Sequence, residues 1–341
     1  MIEILLLILS LVMILISAEV FTNGVETFGR RLSLSQAVVG SILAAVGTAL
    51  PETILPFVAI FMYGGSAGEH IGVGAILGAP FMLSTLAFFL VGFTAIISHM
   101  RKKRAFELRV ELHGMKRDLV FFIFMYGVAI SLALFVHGGR IFIAAALIAG
   151  YIIYAVITFR GVSEGIVHAE ELYFRRLSRF LRNRSSASIQ GPEGIPLIVF
   201  QVLCALALMV GGAQVFVMAL ETLSRAWGLS PLLFALLVAP IATELPEKFN
   251  SVSWTLKGRD TLAVGNITGA MVFQATFPVS LGLLCTDWAL SGLSLISAVL
   301  ALLSALVVLA DISIRKKLSP VTLLLSGLFY AVYAILIIFS S

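Results

Sequence analysis

Apolar stretches long enough to cross a bilayer follow one another along the whole chain, and this constrains its fold more than any other feature. A run of roughly 18 or more apolar residues reads as a membrane-spanning helix. The runs and their breaks give ten, at about 2–21, 34–63, 71–98, 118–137, 141–159, 196–223, 230–256, 261–285, 289–312 and 319–340. Inside lipid every backbone N–H and C=O must be paired within the protein, which leaves helices or closed barrels. The runs are continuous and lack the two-residue alternation of a barrel strand, so helices are expected. Composition agrees: 60% of residues are hydrophobic and 12% charged, against about 25% charged in a soluble domain. The expected fold class is an all-α polytopic membrane protein.

Ile4 to Ile16 reads as part of the first span rather than as a cleaved signal, because Glu3 is the only charge before it and no small-residue cleavage pattern follows. Basic residues fall in short clusters between apolar runs: Arg30-Arg31, 101–117, 175–184, Lys257 with Arg259, and Arg315 to Lys317. With ten spans all five clusters share one side, the cytoplasmic side by the positive-inside rule, and both termini lie outside. Arg140 and Arg225 are isolated exceptions. The pI near 9.4 therefore reflects loop clusters and calls for no nucleic-acid partner. Cys204 and Cys285 stand in apolar surroundings without a partner at metal-ligand spacing, as inert packing residues do.

The sequence repeats. Residues 18–52 match residues 213–247 without a gap, with Glu26/Glu221, Thr27/Thr222, Arg30/Arg225, Ser35/Ser230 and Thr48/Thr243 identical, ending in Leu50-Pro51-Glu52 against Leu245-Pro246-Glu247. A second match sets Val73-Gly74, Ile76 and Gly78-Ala79 against Val264-Gly265, Ile267 and Gly269-Ala270. Five spans precede the second copy, and five is odd, so the second copy enters the membrane from the opposite side. The expected organisation is a five-helix repeat over 1–160, a cytoplasmic linker over 161–195 carrying a short amphipathic helix, and an inverted five-helix repeat over 196–341. Pro51 and Pro246 should break the second and seventh helices, and matched broken helices in inverted repeats are the architecture of secondary transporters, with the ion site near the midplane.

Glu52 and Glu247 lie deep in apolar spans, directly after those prolines. A carboxylate there needs a cation or a proton to be tolerated. Two carboxylates, carbonyls freed near Thr48 and Thr243, and waters make an all-oxygen set suited to a hard cation such as Ca²⁺. Gly72, Gly74 and Gly78 in one copy, and Gly265 and Gly269 in the other, would let facing helices approach closely.

Gly47-Thr48-Ala49-Leu50-Pro51-Glu52 and Ala242-Thr243-Glu244-Leu245-Pro246-Glu247 resemble the Gly-Thr-Ser-Leu-Pro-Glu motifs of the sodium/calcium exchanger group in the cation/Ca²⁺ antiporter superfamily. Gly265-Asn266-Ile267-Thr268-Gly269-Ala270 resembles that family's second motif, Gly-Asn-x-x-Gly-Ser. The resemblance implies ten spans, alternating access, Glu52 and Glu247 as the Ca²⁺ carboxylates, and Thr48 and Thr243 as further oxygen donors. The chain departs from the pattern in its first copy, where Ala75, Ala79, Pro80 and Leu83 stand at polar positions; the second copy keeps Asn266 and places Gln274 opposite Leu83. Glu244 replaces a serine and Lys248 follows at the favourable Glu-to-Lys spacing. Lys248 reads either as a tethered cation neutralising Glu244 or Glu247, in the manner of a bound Na⁺, or as a plain ion pair facing a water-filled vestibule.

The leading functional reading is a secondary antiporter moving Ca²⁺, or a related divalent cation, against Na⁺. An H⁺-coupled version and a non-transporting protein of the same fold are the alternatives. An intramembrane enzyme is disfavoured, because the five histidines fall in loops or at span ends and no His-Glu-x-x-His or Gly-x-Ser-x-Gly arrangement occurs. No cofactor is expected. The expected partners are small cations and the bilayer, the expected location is the plasma membrane of a prokaryote, and a monomer would suffice.

Overall fold

The computed structural model describes residues 2–31, 44–135, 139–159, 172–181, 194–290 and 292–340. These form helices α1 (Ile2–Arg31), α2 (Ala44–Phe57), α3 (Gly65–Met82), α4 (Phe88–Met100), α5 (Leu112–Phe135), α6 (Arg140–Phe159) and α7 (Tyr173–Leu181). The chain continues as α8 (Ile195–Ala226), α9 (Pro231–Thr243), α10 (Leu245–Leu256), α11 (Asp260–Gln274), α12 (Phe277–Cys285), α13 (Gly292–Arg315) and α14 (Pro320–Ser340). Among the described residues there is no strand, only one isolated antiparallel bridge between Leu108 and Leu318.

Seven helical stretches of the described residues are long and apolar enough to span a membrane: Ile2–Gly29, Gly65–Met100, Arg140–Thr158, Ile195–Ala226, Asp260–Cys285, Gly292–Arg315 and Pro320–Ile337. Leu50–Tyr63 and Pro231–Ile241 are shorter apolar helices. Helix α5 carries Lys116, Arg117 and Asp118 near its start. Large apolar side chains such as Phe124, Phe142 and Phe339 point outward from the bundle, as lipid-facing residues do in a membrane protein.

The prolines act differently in the two halves. The break expected at Pro51 is absent: α2 runs through Pro51 and Pro56 and leaves α geometry only afterwards, in a wider π-helical turn at Val58–Tyr63. Each proline withholds one N–H and crowds the carbonyl four residues back, and a π-helical turn is one way a helix absorbs such an irregularity. In the second half the break is real. Thr243 ends α9, Glu244 takes φ −94° and ψ 9°, and Pro246 sits in the first turn of α10, where a missing N–H costs nothing.

A further interruption lies where the sequence reads as one continuous span. Helix α11 stops at Gln274 and α12 restarts at Phe277, with Thr276 at φ −120°, ψ −75° and Pro278 in the new first turn. Its counterpart is a π-helical turn at Leu83–Ala87 between α3 and α4. Leu83 and Gln274 are related by the offset that pairs Gly74 with Gly265 and Gly78 with Gly269.

Helices α1 and α8 run along each other, and Gly24 of α1 and Gly212 of α8 admit side chains of the opposing helix. One buried apolar cluster joins this pair to α2, α3 and α9, with Ile14, Leu55, Ile71 and Phe216 at its centre. The larger cluster joins α3 to α6 with α11 to α14 around Phe81, Phe122, Tyr126 and Tyr333. Within it α6 packs on α12 as α14 packs on α4, and α5 packs on α11 as α13 packs on α3.

The loops sort into two groups at opposite ends. At one end, the guanidinium of Arg104 grips the buried Asp260 carboxylate through two hydrogen bonds of 2.8 and 2.6 Å. The Arg109 N–H adds a third at 2.8 Å, and Lys317 pairs with Glu107. At the other end, Arg140 donates to the carbonyls of Thr286 and Asp287, and the Asp287 N–H donates to Glu69. The basic clusters at 101–117, 257–259 and 315–317 thus meet at one end, and Arg140 sits at the other. Helix α7 is held where α1 and α8 approach: Asn23 Oδ1 and Gln201 Oε1 accept the N–H groups of Tyr173 and Phe174, supplying the partners a helix start lacks.

Candidate functional site

The break between α9 and α10 builds the site. Helix α9 ends with carbonyls that have no partner further along their own helix, and α10 begins with N–H groups in the same condition. Glu247 lies in the first turn of α10, where the positive end of the helix dipole favours a carboxylate. Lys248 turns back the other way. Its ammonium stands 3.0 Å from Glu244 Oε2 and donates to the Pro240 carbonyl at 3.1 Å, a cation at the negative end of α9. The Pro240 carbonyl also accepts the Glu244 N–H.

Glu244 and Lys248 are 1% and 6% exposed, so the ion pair is enclosed by protein and does not face a water-filled vestibule. Glu52 and Glu247 are buried as well. Glu52, on the opposite half, lies within electrostatic reach of Glu247, Glu244 and Lys248, with Glu247 the strongest of the three. The four charged groups therefore form one cluster, contributed by α2 and the α9–α10 break.

The cluster is short of partners. Glu52 Oε2, Glu247 Oε2 and Glu244 Oε1 are buried oxygens without a hydrogen bond among the described residues, as is Gln274 Oε1 at the α11–α12 break. Buried oxygens of native proteins are nearly always paired, and an orphan calls for an explanation such as an ion. Among the described residues no three Asp, Glu, His or Cys side chains converge closely enough to hold a metal by themselves. A cation bound between Glu52 and Glu247 would thus complete its shell with carbonyls, hydroxyls and water.

The other expected donors are distributed as follows. Thr243 is buried and its hydroxyl donates to the Ala239 carbonyl at 3.3 Å, leaving its oxygen lone pairs free to accept. The Thr48 side chain lies outside the described residues. Asn266 donates from Nδ2 to the Glu247 carbonyl and to Ser251 Oγ, both at 3.2 Å; here it fixes α10 against α11. Ser251, which sequence reading missed, completes the brace by donating to the Ala263 carbonyl at 3.0 Å. Its position four residues after Glu247, on the same helix face, was the available signal.

A Cβ on Gly74 or Gly78 would strike the Leu232 or Leu236 carbonyl of α9, so α3 and α9 meet backbone to backbone, as expected. Among the described residues, a Cβ on Gly265 meets nothing within 4 Å and one on Gly269 only the Tyr154 hydroxyl at 3.7 Å; residues 32–43, most of the stretch that the repeat sets opposite them, lie outside the described residues.

The profile described as "Sodium/calcium exchanger protein" matches residues 2–160 and 197–341, nearly the whole chain. The chain belongs to this family. The family lies in the cation/Ca²⁺ antiporter superfamily and is one of transporters. Among its relatives, the inner membrane protein YrbG of Escherichia coli (strain K12) is 23% identical over 334 residues, covering 97% of this chain and 95% of that protein. Among solved structures, the H⁺/Ca²⁺ exchanger CAX superposes with a TM-score of 0.70 at 20% identity, covering 99% of this chain and 86% of that one. The sodium-calcium exchanger NCX_Mj superposes with a TM-score of 0.57 at 18% identity, covering 98% and 97%. At these identities the superpositions establish the shared fold.

Proposed function

We propose that this chain is a secondary antiporter that moves Ca²⁺, or a related divalent cation, across the membrane against Na⁺ by alternating access. The observation that carries the reading is the buried cluster of Glu52 and Glu247, each with an unpartnered carboxylate oxygen. Thr48 and Thr243 would add oxygens. Asn266 and Gln274 would tune the site, Asn266 by holding the Glu247 turn. The proposed frame is ten spans in two inverted repeats, 1–160 and 196–341, joined by a cytoplasmic linker, in a prokaryotic plasma membrane with both termini outside. The exchange of packing partners between halves supports it, since α6–α12 corresponds to α14–α4 and α5–α11 to α13–α3. The gathering of basic loops at one end supports the orientation.

Gly74 and Gly78 close one face of the site against α9. A two-state carrier would part this contact when it opens to that side. In the proposed orientation the contact closes the site outward.

Exchange for H⁺ is the second reading, favoured because Ala75, Ala79 and Leu83 supply no side-chain oxygen for a Na⁺, while three acids share the cluster. The test is ⁴⁵Ca²⁺ flux into proteoliposomes under an imposed Na⁺ gradient, then under an imposed pH gradient. Flux driven by the Na⁺ gradient supports the first reading and flux driven by pH alone the second. No flux under either gradient contradicts the antiporter assignment.

A further inference from the structure

Lys248 is an unusual residue to find inside a cation site. Its ammonium is enclosed, held by the Glu244 carboxylate at 3.0 Å and the Pro240 carbonyl at 3.1 Å, at the carboxyl end of a helix broken inside the bundle. Half-helix carboxyl ends of this kind are where transporters bind small monovalent cations, because unpaired carbonyls converge there. The surroundings are built around the ammonium: Pro240 packs its ring on Gly78 of α3, and Glu244 holds its backbone N–H on the same carbonyl that Lys248 uses.

The formal charges fit such a role. Fully ionised, Glu52, Glu244 and Glu247 would carry three negative charges in one cluster, against one positive charge on Lys248. A divalent cation then balances the remainder, and no second cation is required. Without Lys248 the same cluster plus a divalent ion would keep one uncompensated buried negative charge, which is costly.

Resting on the antiporter reading, we infer that the Lys248 ammonium permanently fills a monovalent-cation site at the end of α9, so that the divalent cation binds without a co-bound Na⁺ at that position. The lysine stem keeps the ammonium in place through the transport cycle, and the number of monovalent ions exchanged per divalent ion falls by one.

The test compares equilibrium Ca²⁺ binding to the purified full-length protein in two media of equal ionic strength, one with Na⁺ and one with only the bulky cation N-methylglucamine. Wild type should bind Ca²⁺ in N-methylglucamine at least as well as in Na⁺. Lys248→Met should bind at least as tightly in N-methylglucamine and lose affinity in Na⁺, which enters the vacated position beside the divalent ion, by roughly 100- to 1,000-fold, the size expected of one unit charge about 4–6 Å away at an effective dielectric of ~20. Glu244→Gln/Lys248→Met, which keeps the net charge, should bind without that dependence. A Lys248→Met variant whose Ca²⁺ binding ignores Na⁺ overturns the proposal. If Lys248→Met does not fold, wild type decides: an absolute need for a small monovalent cation overturns the proposal, and independence upholds it. Absence of Ca²⁺ binding by wild type in either medium defeats the antiporter reading, and the proposal with it.

Discussion

Placing a single methyl group on Gly78 should open the outward face. Its Cβ would strike the Leu236 carbonyl and come within 2.6 Å of Pro240 Cγ, and neither is the free end of a flexible side chain. Overpacking of this kind costs about 1–3 kcal/mol. The cost falls on the conformer in which α3 and α9 touch and is relieved when they part, so the equilibrium shifts by roughly 5- to 150-fold toward the outward-open state. The assay is labelling of Val73→Cys by a membrane-impermeant maleimide in a background lacking Cys204 and Cys285. Val73 is buried and lines a cavity of about 470 Å³ with Glu69, His70 and Asp287 at that end. Gly78→Ala should accelerate labelling by that factor, while Gly127→Ala, whose Cβ meets nothing within 4 Å among the described residues, should leave it unchanged. Equal acceleration by both variants, or by neither in a folded protein, refutes the reasoning.

Asp260→Asn removes the buried carboxylate that holds the half-buried Arg104; breaking such a largely enclosed pair costs up to about 3 kcal/mol, and thermal unfolding in detergent should occur at a clearly lower temperature. Asn266→Ala frees the Glu247 carbonyl and Ser251, so Ca²⁺ affinity should weaken by about tenfold, roughly the worth of one to two hydrogen bonds, with the fold retained. Gln201→Ala removes the acceptor of the Phe174 N–H and the donor to Val20 and Asn23; hydrogen exchange across 173–181 should rise, with unchanged exchange in α13 as the control.

Much of this site is legible in the sequence because a Leu-Pro-Glu turn inside an apolar run has few other uses. Glu52 and Glu247 were identifiable on cost alone, and Glu244 with Lys248 by helical spacing. Periodicity says less about where a helix yields. Pro51 and Pro246 share a Leu-Pro-Glu context, yet one helix runs through and the other breaks at Glu244, because tertiary packing decides how the crowding is absorbed. Pro278 signalled the α11–α12 break, but the apolar run around it hid the interruption. Asp118 went unremarked; its carboxylate accepts from Arg117, Tyr154 and Thr268, a fully satisfied brace between α5, α6 and α11 that only the folded chain assembles.

The central claim is that Glu52 and Glu247 together hold one divalent cation, and stoichiometric ⁴⁵Ca²⁺ binding to purified wild type, Glu52→Gln and Glu247→Gln tests it most directly. The expected result is one Ca²⁺ per wild-type chain, with binding lost or weakened by about 100-fold or more in each variant, as removal of one charged ligand from a two-carboxylate site requires. Undiminished binding in either folded variant would contradict the claim.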